Sequence, residues 1–288
     1  MLQTGAVPDD AYCTALLQVM ANEDLDPAFR AICCALPGQD EIARSLAEQG
    51  QIPDPVAIDA AVHHLSEHLA RQGLDALQAL YHAHQLSGPF SADAASCGAR
   101  ALSALALCLI SHVDGGALAA EQFAKADTMT LQLPALANLS RHGQGAEAMA
   151  QFYQQWRHER LVIDKWFSLQ VTACPASQAV AIARDLLKHP DFTLKNPNRF
   201  RALIGALAMT PAAFHQADGS AYALVADQLI ALDDINPQLC ARMTTVFETW
   251  RRYDKERQAL MCAELSRLAA KPNLSRDTRE MVTRLLGA

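Results

Sequence analysis

The sequence predicts an all-α protein, and three observations carry that prediction. Alanine, the strongest helix former, fills 54 of the 288 positions, against 13 glycines and 13 prolines. Apolar residues recur at helical spacing in one run after another, with short Pro- and Gly-containing breaks between them. No segment alternates with period two between hairpin turns, and aromatics are only 6%, low for a β-sandwich or barrel. With 51% hydrophobic and 19% charged residues the chain is not of the disordered class, and it is long enough to bury a sizeable core.

The first helical pattern covers 9–22, where Tyr12, Leu16, Val19 and Met20 form an apolar stripe. Patterns at 27–36, 39–49, 54–72, 74–86 and 91–113 follow. Their breaks are Pro37-Gly38, Pro53 and Pro55, Gly73, and Ser87-Gly88-Pro89. After Gly115-Gly116, shorter helices are expected at 117–126, 130–141, 145–157, 161–172, 176–188, 197–208, 220–232, 237–249, 252–270 and 275–286. Short connections predict antiparallel neighbours stacked pair on pair. No strict repeat is visible, so the expected architecture is an irregular α-solenoid rather than a regular repeat array. No linker, charge block or low-complexity tract interrupts residues 1–288, which are read as one domain.

A net charge of −7 and a pI of about 5.8 argue against a general nucleic-acid or anionic-membrane binder. The longest apolar run, around Ala101 to Ile110, is too short to cross a bilayer. The N-terminus lacks the basic and apolar regions of a secretory signal. It enters its first helix almost at once, as a piece of a longer protein would. The eight cysteines contain no C-x-x-C pair and several sit in apolar helical runs. They are expected to be reduced, buried thiols of a cytoplasmic protein.

His64-Leu65-Ser66-Glu67-His68 matches the H-x-x-E-H pattern, which puts two histidines one helical turn apart where they could share a zinc ion. His63, His82 and His84 lie close by in sequence, so a histidine-rich polar helix face accounts for the match, and a working site would also need a third ligand and a dry cleft. No metal site is assigned. There is no H-E-x-x-H, G-x-S-x-G, Walker-type or G-x-G-x-x-G sequence, and no catalytic residue is assigned. Asp218-Gly219-Ser220 reads as a turn and helix start. The run Arg251-Arg252-Tyr253-Asp254-Lys255-Glu256-Arg257 reads as a solvated helix face, and Trp166-Phe167 as a core seam.

Two matched helix starts are more informative. Asn196-Pro197-Asn198-Arg199-Phe200-Arg201 and Asn236-Pro237-Gln238-Leu239-Cys240-Ala241-Arg242 each place Asn at the N-cap and Pro at the first helical position. Each then carries an amide and an arginine on one face: Asn198 with Arg201, and Gln238 with Arg242. Cations at a helix N-terminus oppose its dipole at a cost of a few tenths of a kcal/mol each, roughly. If both starts open into one hollow, amides and guanidinium groups converge on a site suited to peptide backbone or a carboxylate. Two ordinary helix starts with solvated arginines remain the alternative.

At these segments the sequence resembles the C-terminal helical domain of bacterial aminopeptidase N, the zinc-dependent alanyl aminopeptidase of the gluzincin class. The resemblance rests on Val162-Ile163-Asp164-Lys165-Trp166-Phe167, the Asn196-to-Gly205 block, Phe214-His215-Gln216-Ala217-Asp218-Gly219-Ser220-Ala221-Tyr222, the Asn236-to-Arg242 block and Arg252-Tyr253-Asp254. Looser matches at Asp26-Pro27-Ala28 and Ile52-Pro53-Asp54-Pro55 extend it over nearly the whole chain. Thr128 stands where the family usually has Asn before Met-Thr, which is expected to alter a helix cap.

The resemblance implies a superhelical bowl of stacked antiparallel helix pairs that caps a zinc-bearing catalytic domain absent from these residues. It implies peptide substrates, zinc in the full-length enzyme, none bound by this fragment, and no turnover by the fragment alone. Residues matching Arg201, Gln238 and Arg242 would face the active-site chamber and touch substrate beyond the scissile bond, with Asn198 a further candidate. The competing expectation is a free-standing α-solenoid that binds peptides or proteins as a scaffold.

Overall fold

The computed structural model describes residues 8–86 and 89–287. Among them there are α-helices, a few 3₁₀ turns and one π-helical turn, and no strand. The first half holds α1 (Asp10–Ala21), α2 (Pro27–Cys33), α3 (Gln39–Glu48), α4 (Pro55–Gln72), α5 (Leu74–Ala83), α6 (Ala94–Asp114), α7 (Ala117–Lys125), α8 (Met129–Arg141) and α9 (Ala146–Trp156). The second holds α10 (Arg160–Thr172), α11 (Ala179–Leu186), α12 (Pro197–Phe200), α13 (Ala206–Ala208), α14 (Pro211–Phe214), α15 (Ser220–Asp233), α16 (Pro237–Thr244), α17 (Lys255–Ala269) and α18 (Arg276–Leu286). The expected helices are all present. Short α14 was not anticipated, and the 197–208 pattern is broken by the π-helical turn Arg201–Gly205.

The contacts gather into two compact units, one of Met1–Gly38 with Asp59–Trp156 and one of Gln39–Ile58 with Arg157–Ala288. The first is organised by α6, which packs on α2, α5, α7 and α8. By length and composition α6 could cross a membrane, contrary to the estimate from residues 101–110 alone. Half of that stretch is buried, with Leu102, Ala106, Leu107 and Ile110 turned into the unit, as in a core helix. Gly98 permits the approach of α2: a Cβ there would lie 2.9 Å from the Ala28 backbone nitrogen. Asp9, Asp26 and Asp93 cap α1, α2 and α6 by accepting backbone N–H bonds. Thr128 does sit at the N-cap of α8 and makes no side-chain capping bond.

Burial departs from the sequence expectation at the cysteines and at Tyr12. Cys13, Cys34 and Cys240 are buried, but Cys33 and Cys97 are exposed, because each falls on the outer side of its helix. Tyr12 is exposed as well, since α1 turns Cys13 and Met20 inward instead.

The second unit closes around an aromatic cluster of Phe214, His215, Tyr222, Phe247 and Tyr253, contributed by α14, α15 and the turns before α17. The Arg251-to-Arg257 run is therefore not a solvated helix face. It crosses a 3₁₀ turn and the start of α17, so its side chains point in different directions. Tyr253 enters the core, Arg252 pairs with Asp40, and Asp254 caps α17 while pairing with Arg257. Arg257 Nε also donates to the His215 carbonyl at 2.8 Å. At the other end of the unit, the buried Asp233 carboxylate accepts bonds from Ser275 and Thr278 at the start of α18, and Lys271 pairs with it at 3.3 Å.

His215 is 4% exposed, and its Nδ1 lies 2.8 Å from the Tyr222 hydroxyl. Burial, reinforced by the charges of Arg257 and Arg252, pushes its pKa down to about 3. The unfolded imidazole takes a proton near pH 6.5, so between these values the unfolded chain holds a proton that the folded chain refuses. Stability is complete above pH 6.5 and falls as the pH drops toward 3, by about 2 kcal/mol at pH 5 from this residue. His112, pushed down to about 4 chiefly by burial, acts in the same direction. Urea unfolding at pH 7.5 and pH 5.0 should show a loss about 2 kcal/mol smaller in His215→Gln than in the unchanged chain. An equal loss in both would mean that His215 is not the group responsible.

Candidate functional site

Both matched helix starts form as their sequences require. The Asn196 side chain accepts from the Asn198 and Arg199 backbone nitrogens at 3.0 and 3.3 Å, and Pro197 opens α12. Asn236 accepts from the Leu239 nitrogen at 3.0 Å, and Pro237 opens α16. Proline loses nothing at either place, because a first-turn N–H has no partner inside the helix.

The arginines of the first start go to opposite destinations. Arg199 is buried: its Nε donates to Asp164 Oδ1 at 2.6 Å, and its guanidinium lies over the Phe167 ring at 4.6 Å. It also bonds to the Asp191 carbonyl. The cost of a cation at a helix N-terminus is thus offset by a carboxylate from α10. With Arg199 turned inward, Asn198 and Arg201 are turned outward. Both are exposed, and Arg201 Nη1 donates to Asn198 Oδ1 at 3.3 Å, which is the expected i,i+3 contact. Gln238 and Arg242 are also exposed, and neither side chain is bonded to another described residue.

Sequence reading missed the π-helical turn over Arg201–Gly205, where the Ala206 N–H reaches back to the Arg201 carbonyl. Such turns occur often at functional sites. They leave no simple composition signal. Gly205, one turn beyond Arg201, lies against α16. A Cβ built on it would be 3.3 Å from Met243 Cε and 3.6 Å from Arg201 Cβ. Met243 adjoins Arg242, so the two segments that carry the candidate residues touch at this point.

Glu67 and His68 of the histidine motif on α4 bond to other residues. Glu67 accepts from Arg71 Nε and Nη2 at 3.1 and 2.6 Å, which holds its carboxyl below the usual range. His68 Nε2 lies 2.7 Å from Asp10 Oδ1. His63, His112 and His142 meet edge to face instead, with ring centres 4.6 and 5.8 Å apart along the series. Among the described residues no three His, Cys, Asp or Glu side chains converge at metal-ligand spacing.

Comparison with known proteins agrees with the fold and extends it. Residues 2–287 match the family described as "Domain of unknown function (DUF3458_C) ARM repeats". The chain is 36% identical to aminopeptidase N of Caulobacter vibrioides over 287 residues, which is 98% of this chain and 33% of that protein. It is 36% identical to aminopeptidase N of Escherichia coli over 94% of its own length and 31% of the other. Among solved structures, the Legionella pneumophila aminopeptidase A complex with aspartic acid superposes with a TM-score of 0.86 and 27% identity, covering 97% of this chain and 34% of that one. The chain thus spans about a third of the length of these relatives. It belongs to the DUF3458_C family of helical ARM-repeat domains and corresponds to the C-terminal domain of aminopeptidase N.

Proposed function

We propose that this chain serves a cytoplasmic, zinc-dependent aminopeptidase that releases N-terminal residues from peptides, and that within it the chain caps the active-site chamber and supplies substrate contacts. The observation that carries the reading is the extent of the match: nearly all of this chain, but only a third of the aminopeptidases it resembles. The zinc and the residues that cut the peptide bond are assigned to the remaining two thirds, the partner domain of the same polypeptide.

Within the chain, Arg201, Gln238, Arg242 and Asn198 are the groups best suited to a peptide. An exposed guanidinium offers a bidentate fork to a carboxylate, and primary amides match the donors and acceptors of peptide backbone. The contact between Gly205 and Met243 supports a common neighbourhood for the two helix starts. Arg199 is excluded from this role because Asp164 and Phe167 already engage it.

Two assays test the reading. The purified chain with added zinc should not hydrolyse alanyl-p-nitroanilide, and hydrolysis should require the catalytic portion; zinc-dependent turnover by the chain alone would contradict the assignment. In the full-length enzyme, Arg242→Ala should lower kcat/KM about tenfold on tripeptides and longer substrates, and less than about twofold on aminoacyl amides. Equal losses on both substrate classes would make Arg242 a structural residue.

A further inference from the structure

A cavity of about 450 Å³ lies among α5, the start of α6, α7 and the turn into α8, within the size range of small-molecule sites. Its walls carry one cation and one anion that the fold leaves without an opposite charge. Arg100 holds its guanidinium 4.8 Å from the centre of the Phe90 ring and donates to the Cys97 sulfur at 3.2 Å, but no carboxylate pairs with it among the described residues. Asp127, in the turn between α7 and α8, is exposed and makes no ion pair among them either. Lys125 and Glu121, on the same wall, are satisfied by each other at 3.3 Å.

The rim is apolar. Phe90 and Leu86 are 58% and 45% exposed, large side chains that the first unit does not cover. The floor, by contrast, is saturated. Tyr81 donates to Gln122 Oε1 at 2.8 Å, and Gln122 Nε2 donates to the Leu131 carbonyl at 2.8 Å. A ligand therefore finds its polar partners at Arg100 and Asp127 and its apolar ones at the rim.

The charge pattern selects the ligand class. A multiply charged anion would meet Glu121 and Asp127, and a simple cation would meet Arg100 and Lys125. A molecule carrying one charge of each sign and an apolar body meets neither objection. An arginine steadied by an aromatic face presents its planar fork to a carboxylate with little orientational freedom left to lose. We propose that this cavity binds a short zwitterionic peptide, with its carboxylate on Arg100, its ammonium group on Asp127 and its side chains against Phe90 and Leu86. The inference uses residues of the first unit only and stands apart from the roles given to Arg201 and Arg242.

Titration calorimetry of the 288-residue chain with the dipeptide Ala-Phe, its N-acetyl form and its C-terminal amide tests the proposal. The free dipeptide should bind saturably, and each blocked form at least tenfold more weakly. Arg100→Gln should erase the preference for the dipeptide over its amide, and Asp127→Asn the preference over the acetylated form. Asp127 is exposed, so its variant remains informative even if Arg100→Gln fails to fold. Binding should survive in the Arg201→Ala/Arg242→Ala double variant. Absence of saturable binding, equal affinity for all three ligands, or loss of binding in that double variant would overturn the proposal.

Discussion

The second unit turns on one buried charge. Arg199 stands in the first turn of a helix, where the dipole opposes it, and in the interior, where solvation is lost. Only a close carboxylate makes that position tenable, and Asp164 provides it from α10 with Phe167 beneath the guanidinium. The pair fixes α12 against α10 and so decides which residues of the Asn196 segment face outward. Asn198 and Arg201 follow on the open side, and the π-helical turn carries the chain on to Gly205 and its contact with Met243. A structural arginine and a solvent-facing one, two positions apart, thus acquire separate duties from a single ion pair.

The helical pattern was legible because it depends on local signals: alanine content, a 3.6-residue period, and breaks at Pro37-Gly38, Gly73 and Gly115-Gly116. Capping was legible for the same reason, and Asn196, Asn236 and Gly219 each stand where the sequence placed a helix start. What escaped depended on partners far along the chain. Arg251 to Arg257 looked like a surface run because its acids and bases alternate. Arg252 finds Asp40, 212 positions away, and Tyr253 finds His215. Two members of the H-x-x-E-H match likewise find partners that spacing does not announce: His68 meets Asp10, 58 positions away, and Glu67 pairs with Arg71.

The candidate site was only half legible. Spacing alone put Asn198 beside Arg201, and the structure brings them together. Spacing could not tell Arg199 from Arg201, because distance from a cap says nothing of what lies beneath it; Asp164 is 35 positions away in sequence. The amphipathic cavity of the first unit was invisible for the same reason. Its walls come from α5, α6, α7 and α8, and no single stretch shows a cation and an anion left over together.

Arg199 holds the segment, and Arg201 is left free for contacts. Urea unfolding of Arg199→Met and Arg201→Met chains, measured side by side at pH 7.5, separates the two roles. Arg199→Met, which strands the Asp164 carboxylate, should lose about 3 kcal/mol, and Arg201→Met should change by no more than about 0.5 kcal/mol. Similar losses for the two, or a larger one for Arg201, would show that Arg199 does not hold the segment.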